Sequence, residues 1–324
     1  MKAAYITEYG GAESIQYGDL EDPVCRENEV IVKSICAAVN YVDTFIRSGR
    51  YRTPIPFPFI IGRDMVGVVQ ETGNGTEGFK AGNIVWTNSM GHEGRQGATA
   101  ELVSVPQERL YHLPPGVDPV HAAASVHSSA TSAILLTEIG KASIGEKILL
   151  HGAAGHVGTK LLSLAHQMGL QVTTTSRPAD FDKLHSLGAD RTLDYEGNIS
   201  PPDISERFDL VVDTSGHADL QDSISLLNAG GRILMITPAP VKPVDFRPLY
   251  TKLGSLLGFV ISRATVQQLN KAAEIINSQF AKGLLLDDEI RILPFSKAAQ
   301  AHQAQEMAGK NKPRYVLVAE ESST

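Results

Sequence analysis

A glycine-rich turn between a strand and a helix constrains this chain more than any other feature. From Lys147 to Gly169 the sequence reads KILLHGAAGHVGTKLLSLAHQMG, in which an apolar run leads into a turn of small residues and then into apolar residues at helical spacing. The spacing Ala153-x-Gly155-x-x-Gly158 is the G-x-G-x-x-G pattern with alanine in the first place. Small residues let the backbone approach a pyrophosphate, whose charge is favoured at the N-terminus of a helix. The segment predicts a dinucleotide-binding turn, rather than a merely structural one, with the binding residues Ala153, Ala154, Gly155, His156, Val157 and Gly158.

The end of the next strand indicates which dinucleotide is bound. An NAD site places Asp or Glu there, about 20 residues further on, to accept a hydrogen bond from the ribose 2′-hydroxyl. The strand QVTTTS ends instead at Ser176 and Arg177. A hydroxyl and a guanidinium favour a 2′-phosphate, which a carboxylate would repel, so the sequence predicts NADPH. The alternatives are that Arg177 is a solvated loop arginine, or that Asp180 or Asp182 serves a 2′-hydroxyl.

Strand and helix patterns alternate through the middle of the chain. From Glu146 to the strand GRILMIT (231–237), β-branched apolar runs are followed by segments with apolar residues three and four apart, including a predicted helix over ADLQDSISLLNAGG (218–231). This alternation is typical of a parallel, doubly wound α/β sheet. The first third differs, because VIVKSICAAV (30–39) and MVGVVQETG (65–73) predict strands separated by turns.

The composition argues against several classes of protein. The chain has 324 residues, enough for about two domains. Its net charge is −7 and it has no long basic run, so neither a nucleic-acid nor a membrane partner is indicated. Its two cysteines exclude a disulfide framework and a four-cysteine zinc site. Because no apolar stretch has the length of a membrane span and the first residues do not read as a signal peptide, we expect a cytoplasmic protein.

Short motifs along nearly the whole chain resemble a known family. Besides the turn, they are NYVDTFIRSG (40–49), GRDMVG (62–67), GATAE (97–101), LGAD (187–190) and DTSG (213–216). The sequence resembles the medium-chain dehydrogenase/reductase superfamily, and within it the zinc-free quinone oxidoreductases of the zeta-crystallin group. The resemblance implies an α/β fold with a GroES-like β-rich catalytic domain at 1–123, completed by 263–324, and a doubly wound Rossmann domain at 124–262. It also implies a homodimer.

The segment GHEGRQG (91–97) begins like the Gly-His-Glu zinc signature of alcohol dehydrogenases. In zinc-dependent members of the family the signature is Gly-His-Glu-x-x-Gly, and its spacing is met here by GRDMVG, in which Arg63 stands where the histidine would be. Asn40 corresponds to the family's cysteine ligand. A guanidinium has no lone pair to give, and an amide does not replace a thiolate. The histidine and glutamate of GHEGRQG are adjacent in a glycine-rich loop, without the helical i, i+4 spacing that would aim both inward, so we predict no metal site.

On the substrate side, the resemblance places the acceptor near Asn40, Asp43 and Arg63. Quinone oxidoreductases carry a tyrosine two residues after the aspartate as a donor to the substrate carbonyl, and here that position is Phe45, which cannot donate. The candidates for the missing donor are Asn40, Tyr41 and Tyr51. The alternative for the two tyrosines is packing with the hydroxyl in water, and the aspartate can simply hold the arginine or a backbone amide.

On the cofactor side, the resemblance implies further contacts. Thr131 matches a threonine in the helix that approaches the nicotinamide and diphosphate, and Tyr195 matches a tyrosine beside the adenosine phosphate. Phe259 lies where the backbone passes the carboxamide, and Lys312 or Arg314 reaches the phosphates. The alternative is structural: the threonine packs a helix, and Tyr195 is a half-solvated strand residue.

The missing zinc ligands determine the expected chemistry. Without a Lewis acid to polarise a carbonyl, reversible alcohol oxidation is disfavoured. Hydride delivery to an enone or a quinone is still possible, because the developing charge needs only hydrogen-bond donors in a dry site. We predict an NADPH-dependent, zinc-independent oxidoreductase that reduces quinones or α,β-unsaturated carbonyls. The alternatives are an enoyl-thioester reductase, with Arg47, Arg50 and Arg52 as basic contacts, and an NADPH-binding protein with little turnover.

Overall fold

The computed structural model describes residues 1–197, 199–200, 204–286, 289–307 and 313–320. It divides into two compact units, one made of Met1–His127 with Ala273–Thr324 and the other of Ser128–Ala272. Within the described ranges, no helix has the length and apolar character needed to cross a membrane. The domain limits expected from the sequence stay a prediction.

Strands and helices follow the sequence patterns closely. The strands are β1 (Lys2–Ile6), β2 (Gln16–Asp19), β3 (Glu29–Val39), β4 (Phe59–Ile60), β5 (Asp64–Thr72), β6 (Ile84–Thr87), β7 (Leu102–Pro106), β8 (Tyr111–His112), β9 (Lys147–His151), β10 (Gln171–Ser176), β11 (Arg191–Asp194), β12 (Phe208–Asp213), β13 (Leu227–Met235), β14 (Ser255–Gly258), β15 (Ile290–Pro294) and β16 (Arg314–Val318). The helices are α1 (Tyr41–Arg47), α2 (Pro119–Ile134), α3 (His156–Gln167), α4 (Phe181–Ser186), α5 (Leu220–Leu226), α6 (Arg247–Thr251), α7 (Val266–Phe280) and α8 (Ala298–Met307).

The first unit is rich in β-structure. Its main sheet runs β15-β16-β3-β5-β6-β8, and β7 also pairs with β3. The C-terminal strand β16 pairs antiparallel with β3, so the end of the chain completes this sheet. A second sheet has the order β2-β1-β4. β3 lies at the centre because its β-branched, apolar sequence suits a strand that is buried along most of its length.

The second unit is a parallel sheet in the order β11-β10-β9-β12-β13-β14. Every neighbouring pair is parallel, and the order corresponds to 3-2-1-4-5-6 of the Rossmann fold. The order reverses between β9 and β12, and ligands of such folds bind at the carboxyl ends of the strands beside this point. The predicted fold class is confirmed.

One predicted helix ends earlier than the sequence pattern indicates. The helical pattern over 218–231 gives only α5, which Asp219 caps by accepting from the backbone N–H groups of Gln221 (2.8 Å) and Asp222 (3.3 Å). β13 then begins at Leu227. The prediction is wrong beyond Leu226, because two consecutive glycines follow and Gly230 adopts a φ of +73°, outside the helical region.

Candidate active site

The glycine-rich turn of the second unit has the geometry that a dinucleotide requires. It begins at Gly152 (φ +74°), and α3 begins after Gly155, whose N–H donates to the Gly152 carbonyl oxygen at 3.0 Å. At Gly158 a Cβ would press on the Gly152 carbonyl oxygen and lie 2.7 Å from the Cα of Ala153. Only glycine lets the first turn of α3 pack this closely on the loop, which leaves the backbone N–H groups at the helix N-terminus for a phosphate. The residues present therefore fit a dinucleotide cofactor.

Side chains from the neighbouring strands hold this turn in place. The Thr214 hydroxyl, after β12, donates to the carbonyl oxygens of His151 (2.9 Å) and Gly152 (3.1 Å). His151 Nδ1 lies 3.2 Å from the Thr175 hydroxyl of β10. Burial lowers the pKa of His151, and the charge of Asp213 acts in the opposite direction. Packing and local hydrogen bonds thus account for this histidine.

The predicted cofactor residues at the end of β10 lie together. Ser176 donates from its hydroxyl to the Arg177 carbonyl oxygen at 3.1 Å, and its own carbonyl accepts the backbone N–H of Tyr195 at 3.1 Å. The Arg177 guanidinium is bound to Asp180 through Nε (3.1 Å) and Nη2 (3.0 Å). The phenol of Tyr195 donates to Glu196 at 3.1 Å. Arg177 is thus tied to the loop by an ion pair and not simply solvated.

The other predicted cofactor residues are Thr131, Phe259 and Lys312. Thr131 is buried in α2. Phe259 follows β14, is half-buried, and donates its backbone N–H to the Met235 carbonyl oxygen at 2.9 Å. Lys312 lies outside the described residues. Their roles stay predictions.

In the first unit, the residues around Asn40 form a buried polar cluster, defined as Asn40, Asp43, Arg63, Asp64, His127 and Arg314. Asn40 follows β3, and Asp64 begins β5 opposite Ala38, so the sheet register brings the two side chains together. Asn40 Nδ2 donates to Asp64 Oδ2 at 2.6 Å, and the Asn40 backbone N–H donates to Asp43 Oδ2 at 2.7 Å.

Two of the cluster's contacts are absent from the predictions made from the sequence. His127 Nδ1 lies 3.3 Å from Asp64 Oδ1, and Arg314 Nη1 donates to Asn40 Oδ1 at 3.3 Å. The Arg314 side chain is buried and contacts Asn40, and the expectation that it reaches the cofactor phosphates stays a prediction. No local motif reveals either contact, since each joins segments that are far apart in the sequence.

Arg63 is a buried cation of this cluster, with 1% of its surface exposed. Its Nε and Nη1 atoms, like Asp43 Oδ1, are buried without a hydrogen-bond partner in the part of the chain that the structure describes. Burial lowers the pKa of Arg63, and the charges of Asp43 and Asp64 raise it.

Of the two tyrosines predicted as donors, the structure favours Tyr51. Tyr41 is 46% exposed and packs edge-on against Phe45, with ring centroids 4.9 Å apart. The Tyr51 hydroxyl is buried and has no partner among the described residues. Its ring stacks on that of His92, with centroids 5.8 Å apart and planes at 24°. The third candidate, Asn40, already uses its amide within the cluster.

The GHEGRQG segment does not converge on a metal position. His92 is buried, whereas Glu93 is half-exposed, with Oε2 3.8 Å from His92 Nδ1. Among the described residues, no group of three or more His, Cys, Asp or Glu side chains is placed to hold a metal ion.

Of the three arginines expected to contact a thioester, Arg47 has its side chain buried and engaged in other contacts. Arg47 donates to Glu306 at 2.6 Å and to the Gly10 carbonyl oxygen at 3.1 Å, which corrects its expected role as a basic contact for a thioester. The Arg50 guanidinium lies 6.0 Å from the centroid of the Phe45 ring. A cavity of about 580 Å³ is lined by Tyr9, Ser48, Gly49, Arg52, Thr53 and Pro54.

Asp43 makes the stability of the protein depend on pH. Burial, and then the charge of Asp64, raise the pKa of Asp43 from 3.8 to about 7. The folded protein keeps this proton at pH values where the unfolded chain has lost it, so the contribution is complete below pH 3.8 and is lost as the pH rises through about 7. Asn does not titrate, so as the pH rises from about 4 to about 8 we expect the free energy of unfolding of Asp43→Asn to increase by about 4 kcal/mol relative to that of the unsubstituted protein, measured by urea unfolding. A difference that does not vary with pH, or that equally appears in the exposed control Asp182→Asn, would contradict this.

Comparisons with known proteins agree with this geometry. Two family models match: the alcohol dehydrogenase GroES-like domain over residues 26–115 and the zinc-binding dehydrogenase over residues 157–278. The quinone oxidoreductase of Sus scrofa is 27% identical over 310 residues, which cover 94% of this chain and 93% of the relative. The NADPH-dependent alkenal/one oxidoreductase of Arabidopsis thaliana is 31% identical over 79% of this chain and 67% of the relative. A solved mycobacterial protein in complex with NADPH superimposes with a TM-score of 0.82 at 27% identity, covering 98% of this chain and 99% of the other.

Each of the two family models matches the main sheet of one of the two units. One covers most of the β-rich strands before α2, and the other covers most of the parallel sheet. The chain is an oxidoreductase and belongs to the medium-chain dehydrogenase/reductase superfamily, in its zinc-free quinone oxidoreductase group.

Proposed function

We propose that this protein is an NADPH-dependent, zinc-independent oxidoreductase that reduces quinones or α,β-unsaturated carbonyl compounds. The observation that carries the proposal is the turn from Gly152 to Gly158, where the helix packs too closely on the loop for any side chain at Gly158. The relatives named as a quinone oxidoreductase and an alkenal/one oxidoreductase support the acceptor class.

The choice of NADPH rests on the end of β10. Ser176 is the last residue of this strand and Arg177 follows it, so neither position carries the Asp or Glu that an NAD site places at the strand end. The Arg177 guanidinium lies at the strand end in an ion pair with Asp180, and a 2′-phosphate would compete with this carboxylate for the guanidinium. The NADPH complex of the mycobacterial neighbour supports the same choice.

The residues at the family's zinc position do not fit a metal. Asn40 already uses its amide nitrogen on Asp64 and its oxygen on Arg314. Arg63 is a cation without a lone pair. Zinc independence is therefore part of the proposal.

The remaining chemistry is divided between cofactor and chain. A bound nicotinamide supplies the hydride. Burial of the polar cluster keeps water away and strengthens its charges. We propose the Tyr51 hydroxyl as the proton donor, since Phe45 has none and Asn40 is engaged within the cluster. Asp43 and Asn40 position the start of α1 and do not react.

The assembly and domain limits belong to the same proposal. We propose the limits 1–123 with 263–324 for the catalytic domain and 124–262 for the cofactor domain. β14 is the edge strand of the parallel sheet, and Leu256 on it is 36% exposed, which supports a homodimer formed by extending this sheet.

The test is oxidation of NADPH and NADH against quinones, enones, enoyl thioesters and simple aldehydes, with and without a chelator. We expect rapid, chelator-insensitive loss of NADPH absorbance with a quinone or an enone, and a preference for NADPH that falls about tenfold in Arg177→Ala as a phosphate contact is lost. Activity confined to aldehydes and lost with chelator would contradict the proposal. Preference for enoyl thioesters would favour the alternative reductase, with Arg52 in the cavity as its basic contact.

A further inference from the structure

Arg63 is a buried cation with unused hydrogen-bond donors. Arg63 is 1% exposed, and its Nε and Nη1 atoms have no hydrogen-bond partner among the residues that the structure describes. Buried donors in native proteins are almost always hydrogen-bonded, because a donor removed from water without a partner is unfavourable. A ligand or water that completes these donors is therefore expected at this position.

The neighbouring side chains do not use these donors. Asp43 Oδ1 is also buried without a described partner, so this carboxylate does not pair with the guanidinium although its charge acts on it. Asp64 is occupied by hydrogen bonds within the cluster. The Tyr51 hydroxyl is a further buried atom without a described partner, and it lies close enough to Arg63 that an ionised Tyr51 would raise the pKa of the guanidinium. Two unused cationic N–H groups and a hydroxyl thus lie in one buried region, which suits a ligand oxygen that gains negative charge.

We propose that the Arg63 guanidinium binds the carbonyl oxygen of the acceptor and stabilises the negative charge that forms on it during reduction. This inference rests on the proposed function and adds the group that replaces a Lewis acid. When the β-carbon of an enone accepts a hydride, the electron pair of the C=C bond moves toward the carbonyl and leaves an enolate oxygen. The Arg63 N–H groups donate to this oxygen, and a proton from Tyr51 or water adds to the α-carbon. A quinone that accepts a hydride likewise leaves a phenolate oxygen.

The substrate class follows from this arrangement. A fixed guanidinium favours acceptors whose oxygen carries a full negative charge after hydride transfer, namely enones and quinones. Arg63 stands where zinc-dependent relatives carry a histidine ligand, so the chain itself supplies a permanent cation in this region.

The experiment measures the ionisation of bound 4-nitrophenol, whose anion resembles the enolate oxygen and absorbs visible light. We expect the bound phenol to ionise about one pH unit or more below its value in solution, because a nearby cation favours the anion. Arg63→Gln should abolish this shift and lower quinone turnover by about 100- to 1,000-fold, as for other lost oxyanion donors. The control is Arg291→Gln, since Arg291 is an exposed arginine on β15 of the same unit and its charge is not among those that act on Arg63. It should retain both properties.

The phenol shift and the turnover of the variants decide whether Arg63 binds the acceptor oxygen. A folded Arg63→Gln that keeps the phenol shift and the turnover overturns the proposal. If Arg63→Gln does not fold, Arg63→Lys is used: we expect about a tenfold loss of turnover, because an ammonium lacks the planar fork, and unchanged values would overturn the proposal. If the phenol shift is intact but none of the acceptors accelerates NADPH oxidation, the anion site is supported and the proposed function is contradicted.

Discussion

Replacing Gly158 by alanine is expected to weaken NADPH binding about 30-fold and to lower the free energy of unfolding by about 2 kcal/mol. The added Cβ would press on the Gly152 carbonyl oxygen and lie 2.7 Å from the Cα of Ala153, both of which are backbone atoms. The N-terminus of α3 must then move away from the turn, and its N–H groups leave the position that a diphosphate needs. Titration of NADPH by nicotinamide fluorescence and urea unfolding measure the two effects.

The control for Gly158→Ala is Gly18→Ala, in β2 of the other unit. A Cβ at Gly18 meets only the Tyr5 side chain, at 3.6 Å or more, which is an ordinary contact. Neither NADPH affinity nor stability should change by more than about 0.5 kcal/mol in this variant. If Gly158→Ala loses stability but binds NADPH as well as the unsubstituted protein, the diphosphate does not lie at this turn.

The cofactor half of the molecule was predictable because its signals are local. The strand, turn and helix around Gly155 lie within one continuous segment, and each element follows from periodicity and from the small residues between them. The order of the parallel sheet follows from the alternation of strands and helices, since parallel neighbours need a crossover. The end of α5 was mispredicted because an apolar pair, Leu226 and Leu227, reads equally well as helix or strand.

The polar cluster was predictable only in part, because its contacts depend on sheet register. A motif placed Asn40 and Arg63 near the substrate, but the pairing of Ala38 with Asp64 is what sets Asn40 against that carboxylate. The pairing of Tyr315 with Val39 similarly brings Arg314 to Asn40 from the other end of the chain. Arg47 was misplaced for the same reason, since its partner Glu306 lies on α8. Register and tertiary packing are not encoded in local spacing.

Tyr51→Phe is expected to lower kcat for an enone about 100-fold while KM changes little. General acid catalysis by a positioned side chain contributes about 10²- to 10⁴-fold, and the expected loss is the lower end of this range. The Tyr51 hydroxyl is buried without a described partner, and its ring is held by the stack on His92. Removing one oxygen leaves the ring and the stack in place, so the fold should not change. Steady-state kinetics with NADPH and an enone, together with the solvent isotope effect on kcat, measure the loss.

The comparison that decides the donor is Tyr41→Phe. This residue is also a tyrosine of the first unit, but it is 46% exposed and packs against Phe45. We expect kcat to stay within about twofold in Tyr41→Phe, because substitutions of exposed side chains usually have small effects. A large loss in Tyr41→Phe with none in Tyr51→Phe would move the proton donor to α1. Equal, small effects in both variants would mean that water delivers the proton, because a reduction whose charge is already stabilised at the carbonyl oxygen does not require a side-chain acid.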